Sequence, residues 1–277
     1  MSHVHAFHAY VPSSFYICYI VLLVLFWLSL SLPLSLFLAL VASWLPNANL
    51  LRPRTLYVLG ASSSFDPTPS SVWFHDERAH KDFSENFSKQ GIHSERQVIL
   101  SDFSVADLPT VIYNRGWESL CGAPITCPSV IIQEFYSNMH GFDSSVPQFS
   151  TRVRGTSIMV TPNIIFEVLH VPTVVHPDYP DSDRLRTMSK DKLMSLFSKT
   201  LSSWGDRQNT RCSTFAKSLR FLNMVMTFIL HLLSHYNTIT KPDAHFLLSL
   251  IEDLSIDFPS HFIFILIDVY RDMVTRD

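Results

Sequence analysis

The stretch "TRVRGTSIMVTPNIIFEVLHVP", residues 151–172, carries the clearest signals for the fold. Its first ten residues are rich in β-branched side chains and have Gly155 near their middle, which predicts two short strands joined by a turn. Thr161 followed by Pro162 has the pattern of a helix cap and a first helical residue, and this helix must end before Pro172. The stretch therefore predicts a hairpin that leads directly into a helix.

Helical patterns dominate the sequence on both sides of this hairpin. Pro128 predicts the start of a helix with Ile131, Phe135 and Met139 on one face. Residues 189–270 predict four more helices. The first has Ser189 as its cap and an apolar stripe that extends to Trp204, and the second, near 213–236, is apolar almost all round and should be buried. Only "RQVIL", residues 96–100, predicts a further short strand. We therefore expect a mainly α (α+β) fold, a helical globular domain with one short β-hairpin.

The N-terminal stretch "FYICYIVLLVLFWLSLSLPLSLFLALVASWL", residues 15–45, contains no charged residue. All 21 Lys and Arg and all 24 Asp and Glu lie after Leu51. A helix of roughly 20 apolar residues crosses a bilayer, so this stretch predicts one transmembrane helix, tilted or kinked at Pro33. The predicted organisation is a tail (1–14), a transmembrane helix (15–45), a linker (46–71) and a domain (72–277).

The flanking residues predict that the domain lies in the cytosol. Arg52 and Arg54 follow the apolar stretch directly, and basic residues favour the cytosolic side of a membrane. A secretory signal peptide is the alternative, but it needs a basic start and an apolar run of only about 7 to 15 residues. Cys121, Cys127 and Cys212 form no CxxC pair and predict free thiols. We therefore expect a single-pass membrane protein whose partners include the lipid bilayer.

The sequence contains none of the standard motifs of enzymes or metal sites that were sought. Its seven glycines form neither GxxxxGK[ST] nor GxGxxG, and no GxSxG occurs. His231 and His235 share a helix face at i, i+4 spacing, but the HExxH glutamate and a third ligand are missing. We therefore predict no catalytic residue, no metal site, no cofactor and no small-molecule substrate.

Two acidic clusters could supply the carboxylates of a two-metal nuclease. Such sites usually rest on a sheet, and no alternating pattern of strands and helices is present to carry one. Helix caps and solvated loops are the favoured interpretation, and a degenerate transposase or nuclease remains an alternative. The clusters are Asp178, Asp181 and Asp183, and Glu252, Asp253 and Asp257.

Residues 183–220 form the strongest candidate for a nucleic-acid interface. This segment has nine basic and three acidic residues, a local net charge of +6. Basic side chains of this kind bind phosphate groups. The whole chain has a net charge of −3, which favours a solvated helix face over a dedicated nucleic-acid binder. The candidate residues are Arg184, Arg186, Lys190, Lys192, Lys199, Arg207 and Arg211.

Five motifs, in the same order along the chain, resemble the Putative plant transposon protein domain, a family of plant mobile-element open reading frames. The resemblance extends from about residue 74 to residue 272 and implies a transposon-derived domain. It supplies no catalytic residue. The motifs are "IHSERQVILSDF" (92–103), "RGW" (115–117), "IIQEFYSNM" (131–139), "RVRGTSIMVTPNIIFEVLHVP" (152–172) and "IDFPSH" (256–261).

These observations together predict a non-enzymatic, transposon-derived domain protein that is anchored in a membrane. Its expected role is assembly or binding, with a protein as the partner. Nucleic-acid binding through residues 183–220 is the first alternative.

Overall fold

The computed structural model describes residues 73–89, 98–103, 108–122, 127–143, 145–198, 200, 203–204, 208–230 and 237–274. The predicted tail, transmembrane helix and linker, residues 1–71, lie outside these ranges and stay predictions. His231 and His235 also lie outside them. In the part that is described, no helix has both the length and the apolar character needed to cross a bilayer.

Helices dominate the described residues, so the predicted mainly α class is confirmed. Each helix is short except the last, which has 17 residues. They are α1 (Glu77–Glu85), α2 (Leu108–Asn114), α3 (Ser129–Ser137), α4 (Pro162–Leu169), α5 (Asp183–Thr187), α6 (Lys190–Phe197), α7 (Lys217–Val225), α8 (Lys241–Ile251) and α9 (Phe258–Val274).

The predicted hairpin is confirmed. Strands β1 (Phe149–Val153) and β2 (Thr156–Val160) are antiparallel. Arg154 and Gly155 form the turn between them, with φ angles of 52° and 80°. Two successive residues with positive φ suit the right-handed twist of a tight hairpin, and glycine adopts such an angle without strain.

A second antiparallel pair was not predicted from the sequence. It consists of β3 (Asn209–Arg211) and β4 (Thr238–Thr240). Strands of three residues are too short to show an alternating pattern, and the partner strand lies far along the chain. The expectation of one hairpin is therefore corrected to two separate two-stranded sheets among the described residues.

Capping residues explain where several helices begin. The Thr161 hydroxyl accepts the backbone N–H of Ile164 at the start of α4, as the sequence predicts. Ser189 accepts the N–H of Lys192 at the start of α6, which is also confirmed. Thr240 and Asp243 form a reciprocal capping box at α8. Each cap satisfies N–H groups that have no partner within the helix.

Three predicted elements differ in the structure. Residues 98–99 form no strand, and a 3-10 turn, Leu100–Phe103, follows them. Helix α6 ends at Phe197, because Ser198 leaves the helix to pair with Phe215. The predicted helix at 213–236 begins only at Lys217, and a π-helical turn follows it at Met226–Leu230.

Aromatic side chains form the centre of the domain. Trp117, Phe135, Phe149, Phe258 and Phe262 are all fully buried and belong to one continuous apolar core. Helix α3 packs against β1, and α9 packs against α4. Polar side chains on α3 are consequently enclosed between the hairpin and the N-terminal residues of the domain.

Candidate functional site

Helix α5 holds two of the predicted basic residues in ion pairs. Arg184 pairs with Glu252, which follows α8, and both charges are partly exposed. The Arg186 guanidinium lies 3.4 Å from the Asp183 carboxylate, one turn earlier on the same helix. These carboxylates partly neutralise the two arginines. Lys199 and Arg207 lie outside the described residues.

Helix α6 presents two lysines in its first turn. The Lys190 ammonium lies 6.0 Å from the centroid of the Trp204 ring. The backbone N–H of Trp204 donates to the Asp191 carboxylate at 2.8 Å, so this tryptophan is fixed against the start of the helix. Lys192 is exposed next to this arrangement.

The start of α7 lies beside the end of α6. The backbone N–H of Ala216 donates to the Phe197 carbonyl at 3.2 Å, just before Lys217. The Lys217 ammonium lies 5.8 Å from the Phe221 ring, and Arg220 is exposed on the same helix. We call Lys192, Arg211, Lys217 and Arg220 the exposed basic set. Among the described residues, none of the four forms an ion pair with a carboxylate.

The two acidic clusters are brought close together, but five of their six carboxylates bind groups of the fold. Asp178 accepts the backbone N–H of Ser255 at 3.0 Å and its hydroxyl at 2.7 Å, which lowers the pKa of the carboxyl. Asp257 accepts the N–H of Val174 at 3.5 Å and directly precedes α9. Within the described ranges, no group of three His, Cys, Asp or Glu residues is arranged to hold a metal ion.

A buried polar cluster at the end of α3 was missed from the sequence. Asn138 is only 1% exposed. Its amide nitrogen lies 3.0 Å from each of three carbonyl oxygens, those of Trp73, Glu134 and Arg152. Its amide oxygen accepts the backbone N–H of His75 at 2.7 Å. One side chain therefore joins α3, β1 and the first described residues of the domain.

Glu134 lies one helical turn before Asn138 and is fully buried. One carboxylate oxygen, Oε1, accepts the backbone N–H of Arg154, and the other, Oε2, lies 3.4 Å from Arg154 Nε. The Arg154 guanidinium in turn lies 4.1 Å from the centroid of the Trp73 ring. Burial raises the pKa of Glu134 to about 7, although both contacts with Arg154 act to lower it.

The sequence does contain a signal for this cluster. Glu134 and Asn138 stand at i, i+4 on a helix whose neighbouring residues Ile131 and Phe135 are buried. A charged residue is rarely buried without a partner, so its position on an apolar helix predicts a contact elsewhere in the chain. The partner itself could not be predicted, because the hairpin turn is brought to α3 only by tertiary packing.

The "RGW" motif forms a second internal contact. The Arg115 guanidinium donates to the carbonyls of Leu254 at 2.9 Å and Ser249 at 3.2 Å, and it lies 3.1 Å from the Asp253 carboxylate. The side chain is 8% exposed and lies 5.4 Å from the Trp117 ring centroid. Gly116 has a φ of 64°, which turns the chain after α2 so that Trp117 enters the core.

Both clusters use residues from the motifs that occur in order along the chain. A family model described as Putative plant retrotransposon-related domain matches residues 113–276, more than half of the chain. The chain belongs to this family. The retrotransposon-related domain includes four of the five motifs, and the match begins after the first, residues 92–103. The predicted transposon origin is thereby confirmed. No curated protein and no solved structure matches the chain.

Proposed function

We propose that this retrotransposon-related domain protein is a non-enzymatic binding module, held at a membrane by residues 15–45. The proposal is supported by the contacts that the polar residues of the family motifs make inside the domain. Arg115, Glu134, Asn138 and Arg154 direct their polar groups into the domain's own backbone and side chains. Residues of this kind stabilise a fold, so function would fall to the surface and to the apolar N-terminal segment.

Membrane attachment is tested by alkaline carbonate extraction of the full chain. We expect the full chain to stay in the membrane pellet, because an apolar helix of more than about 20 residues is retained by the bilayer. A chain without residues 1–51 should be soluble after the same treatment. Release of the full chain would contradict the anchor, whatever the shorter chain does.

The orientation can be read from glycosylation. The sequon Asn86-Phe87-Ser88 lies at the end of α1, with Ser88 exposed. A cytosolic domain leaves Asn86 unmodified, whereas a sequon made in the tail by Ser2→Asn and Val4→Thr should be glycosylated. Asn86→Gln is the matched control. Glycan at Asn86 would show the opposite orientation.

Nucleic-acid binding is a second candidate, favoured by the exposed basic set. Exposed cations without carboxylate partners are available to phosphate groups, whereas Arg184 and Arg186 already have partners. Each phosphate contact contributes about 0.7 to 0.9 to the slope of log affinity against log salt concentration. A surface with four such contacts should therefore bind RNA or DNA with strong dependence on salt.

The test compares two variants of the full chain in detergent micelles. Changing all four residues of the exposed basic set to Gln should lower affinity for a labelled RNA or DNA at least about tenfold and flatten the salt slope by about 3. The control, Arg184→Gln with Arg186→Gln, should change both much less. Equal losses in the two variants would contradict binding through the exposed basic set.

The same mixtures test the nuclease alternative. Added Mg²⁺ should leave the nucleic acid intact, and cleavage that Asp257→Ala abolishes would instead support a nuclease.

A further inference from the structure

The first described residues of the domain, 73–75, are held by the hairpin and by α3. Asn138 bonds the Trp73 carbonyl and the His75 N–H, and the Arg152 guanidinium donates to the Phe74 carbonyl at 3.1 Å. The Trp73 ring lies beneath the Arg154 guanidinium. The predicted linker and membrane segment precede this point, so the contacts fix the place where the chain enters the domain.

Glu134 contacts Arg154, whose guanidinium lies over the Trp73 ring, and its surroundings disfavour a negative charge. Its side chain is 1% exposed, whereas that of Arg154 is 24% exposed. Only Oε1 accepts a hydrogen bond from a described residue, and Oε2 is buried without one, although Arg154 Nε is 3.4 Å away. A buried carboxylate with incomplete hydrogen bonding favours its neutral form.

The turn that covers Glu134 is strained. Arg154 has a φ of 52°, in the left-handed region that costs a residue with a β-carbon about 1 kcal/mol or more. Such a conformation persists only while neighbouring contacts hold it. The contacts that hold it here are the pairing of β1 with β2 on either side of the turn and the contacts of Arg154 with Glu134 and Trp73. Opening of the turn would relieve the strain and admit water to Glu134.

We propose that Glu134, Arg154 and Trp73 form a proton-linked latch, which is closed when Glu134 is neutral and opens as Glu134 loses its proton. The closed latch holds residues 73–75 against the hairpin. The open latch frees the turn and the Trp73 ring, and it thereby loosens the connection between the domain and the preceding chain.

The direction of the pH dependence follows from the two states of Glu134. In the closed latch its pKa is raised to about 7, against an ordinary value of 4.5 when the carboxyl is in water. The closed state binds the proton more tightly, so protons favour closure. The opening constant should rise by up to about tenfold per pH unit between pH 4.5 and 7 and level off above that range.

Other groups around the latch must be separated from Glu134 in the test. Histidine side chains can change charge in the same pH range. The His75 and His140 rings stack at 3.8 Å, and His80 lies against Phe74. The charged or titratable groups that contact Glu134 or residues 73–75 are Arg152 on β1, Arg154 in the turn, His80 on α1 and His140 after α3, together with His75 itself.

Hydrogen exchange at the turn tests the latch in the full chain in detergent micelles. The Arg154 N–H is the donor to Glu134, and peptides that cover residues 149–160 report its exchange. After correction for intrinsic exchange, protection should fall by up to about tenfold per unit between pH 5 and 7 and then stay level. Peptides from α4 serve as the internal reference and should keep constant protection.

Three variants decide the result. Glu134→Gln keeps the shape of the side chain but cannot ionise, so it should abolish the pH dependence. The triple variant His75→Gln, His80→Gln and His140→Gln should keep the pH dependence. Arg154→Gly removes the cation and the strain, and it should move the upper end of the pH range above 7. An unchanged slope in Glu134→Gln, loss of the slope in the histidine variant, or protection that rises with pH would each overturn the latch. Arg154→Gly supplies the decisive shift if Glu134→Gln does not fold.

Discussion

Replacing Asn138 with alanine should lower the free energy of unfolding by about 3 kcal/mol. The side chain is 1% exposed and bonds groups from three parts of the chain. Its loss leaves the Trp73 carbonyl and the His75 N–H without the partner that holds them, and a cavity remains in their place. The Glu134 carbonyl is less affected, because the Ser137 hydroxyl also donates to it at 3.0 Å.

Urea unfolding of a chain without residues 1–51 measures this effect. A lower midpoint with an unchanged slope would report a loss of stability rather than a different unfolded state. Asn138→Asp is the sharper variant, because it keeps the shape but loses the donor. The matched control is Asn163→Ala on the exposed face of α4, which should change stability by no more than about 0.5 kcal/mol. A similar small change for Asn138→Ala would contradict a role for this residue in joining α3, β1 and residues 73–75.

Local signals predicted the structure well where the chain provides its own start and stop residues. Gly155 and the β-branched residues around it indicated the hairpin, and the observed strands extend only two residues beyond the predicted start. Thr161 and Pro162 indicated α4 because a cap and a first helical residue act within a single turn. These signals come from residues that are neighbours in the sequence, so they do not depend on tertiary contacts with the rest of the chain.

Predictions failed where a distant segment decides the outcome. β3 is a strand only because β4 pairs with it, and α6 ends where Ser198 meets Phe215. The basic segment shows the same effect for charge. The composition of the segment indicated that Arg184 is available to phosphate. In the structure Arg184 pairs with Glu252, which is 68 residues away in the chain and so lies outside the segment. The net charge of a segment therefore overestimates how many of its cations are free on the surface.

The candidate site was harder to predict than the fold for a related reason. The motif "IIQEFYSNM" was recognised, yet its chemistry depends on burial of Glu134 and on the turn at Arg154, which approach each other only in the folded domain. The pKa of Glu134 rises because water is excluded, and no spacing of residues within α3 could indicate that. The polar residues Glu134 and Asn138 on an apolar helix face were the signal available. They indicate a buried polar contact but do not indicate that Arg154 is the partner.

Replacing Arg115 should have an effect comparable to that of Asn138. Arg115→Lys keeps the positive charge, but a single ammonium cannot reproduce the planar fork that reaches the carbonyls of Leu254 and Ser249 together. The Leu254 carbonyl lies three residues beyond α8, and the Ser249 carbonyl, in the last turn of α8, also accepts the backbone N–H of Leu254 at 2.9 Å. We expect a loss of about 3 kcal/mol for Arg115→Ala and a smaller loss for Arg115→Lys, since hydrogen bonds to charged groups contribute roughly 1.5 to 3 kcal/mol each.

The same urea experiment, with Arg271→Ala as the control, distinguishes this contact from an ordinary surface ion pair. Arg271 pairs with Asp268 on α9 at 3.5 Å, with 51% of its side chain exposed, and such pairs contribute about 1 kcal/mol or less. If the Asp253 ion pair alone mattered at Arg115, then Asp253→Asn would be as damaging as Arg115→Ala. Because Asp253 is 74% exposed, we expect Asp253→Asn to behave like the control, and the main loss to come from the Leu254 and Ser249 carbonyls.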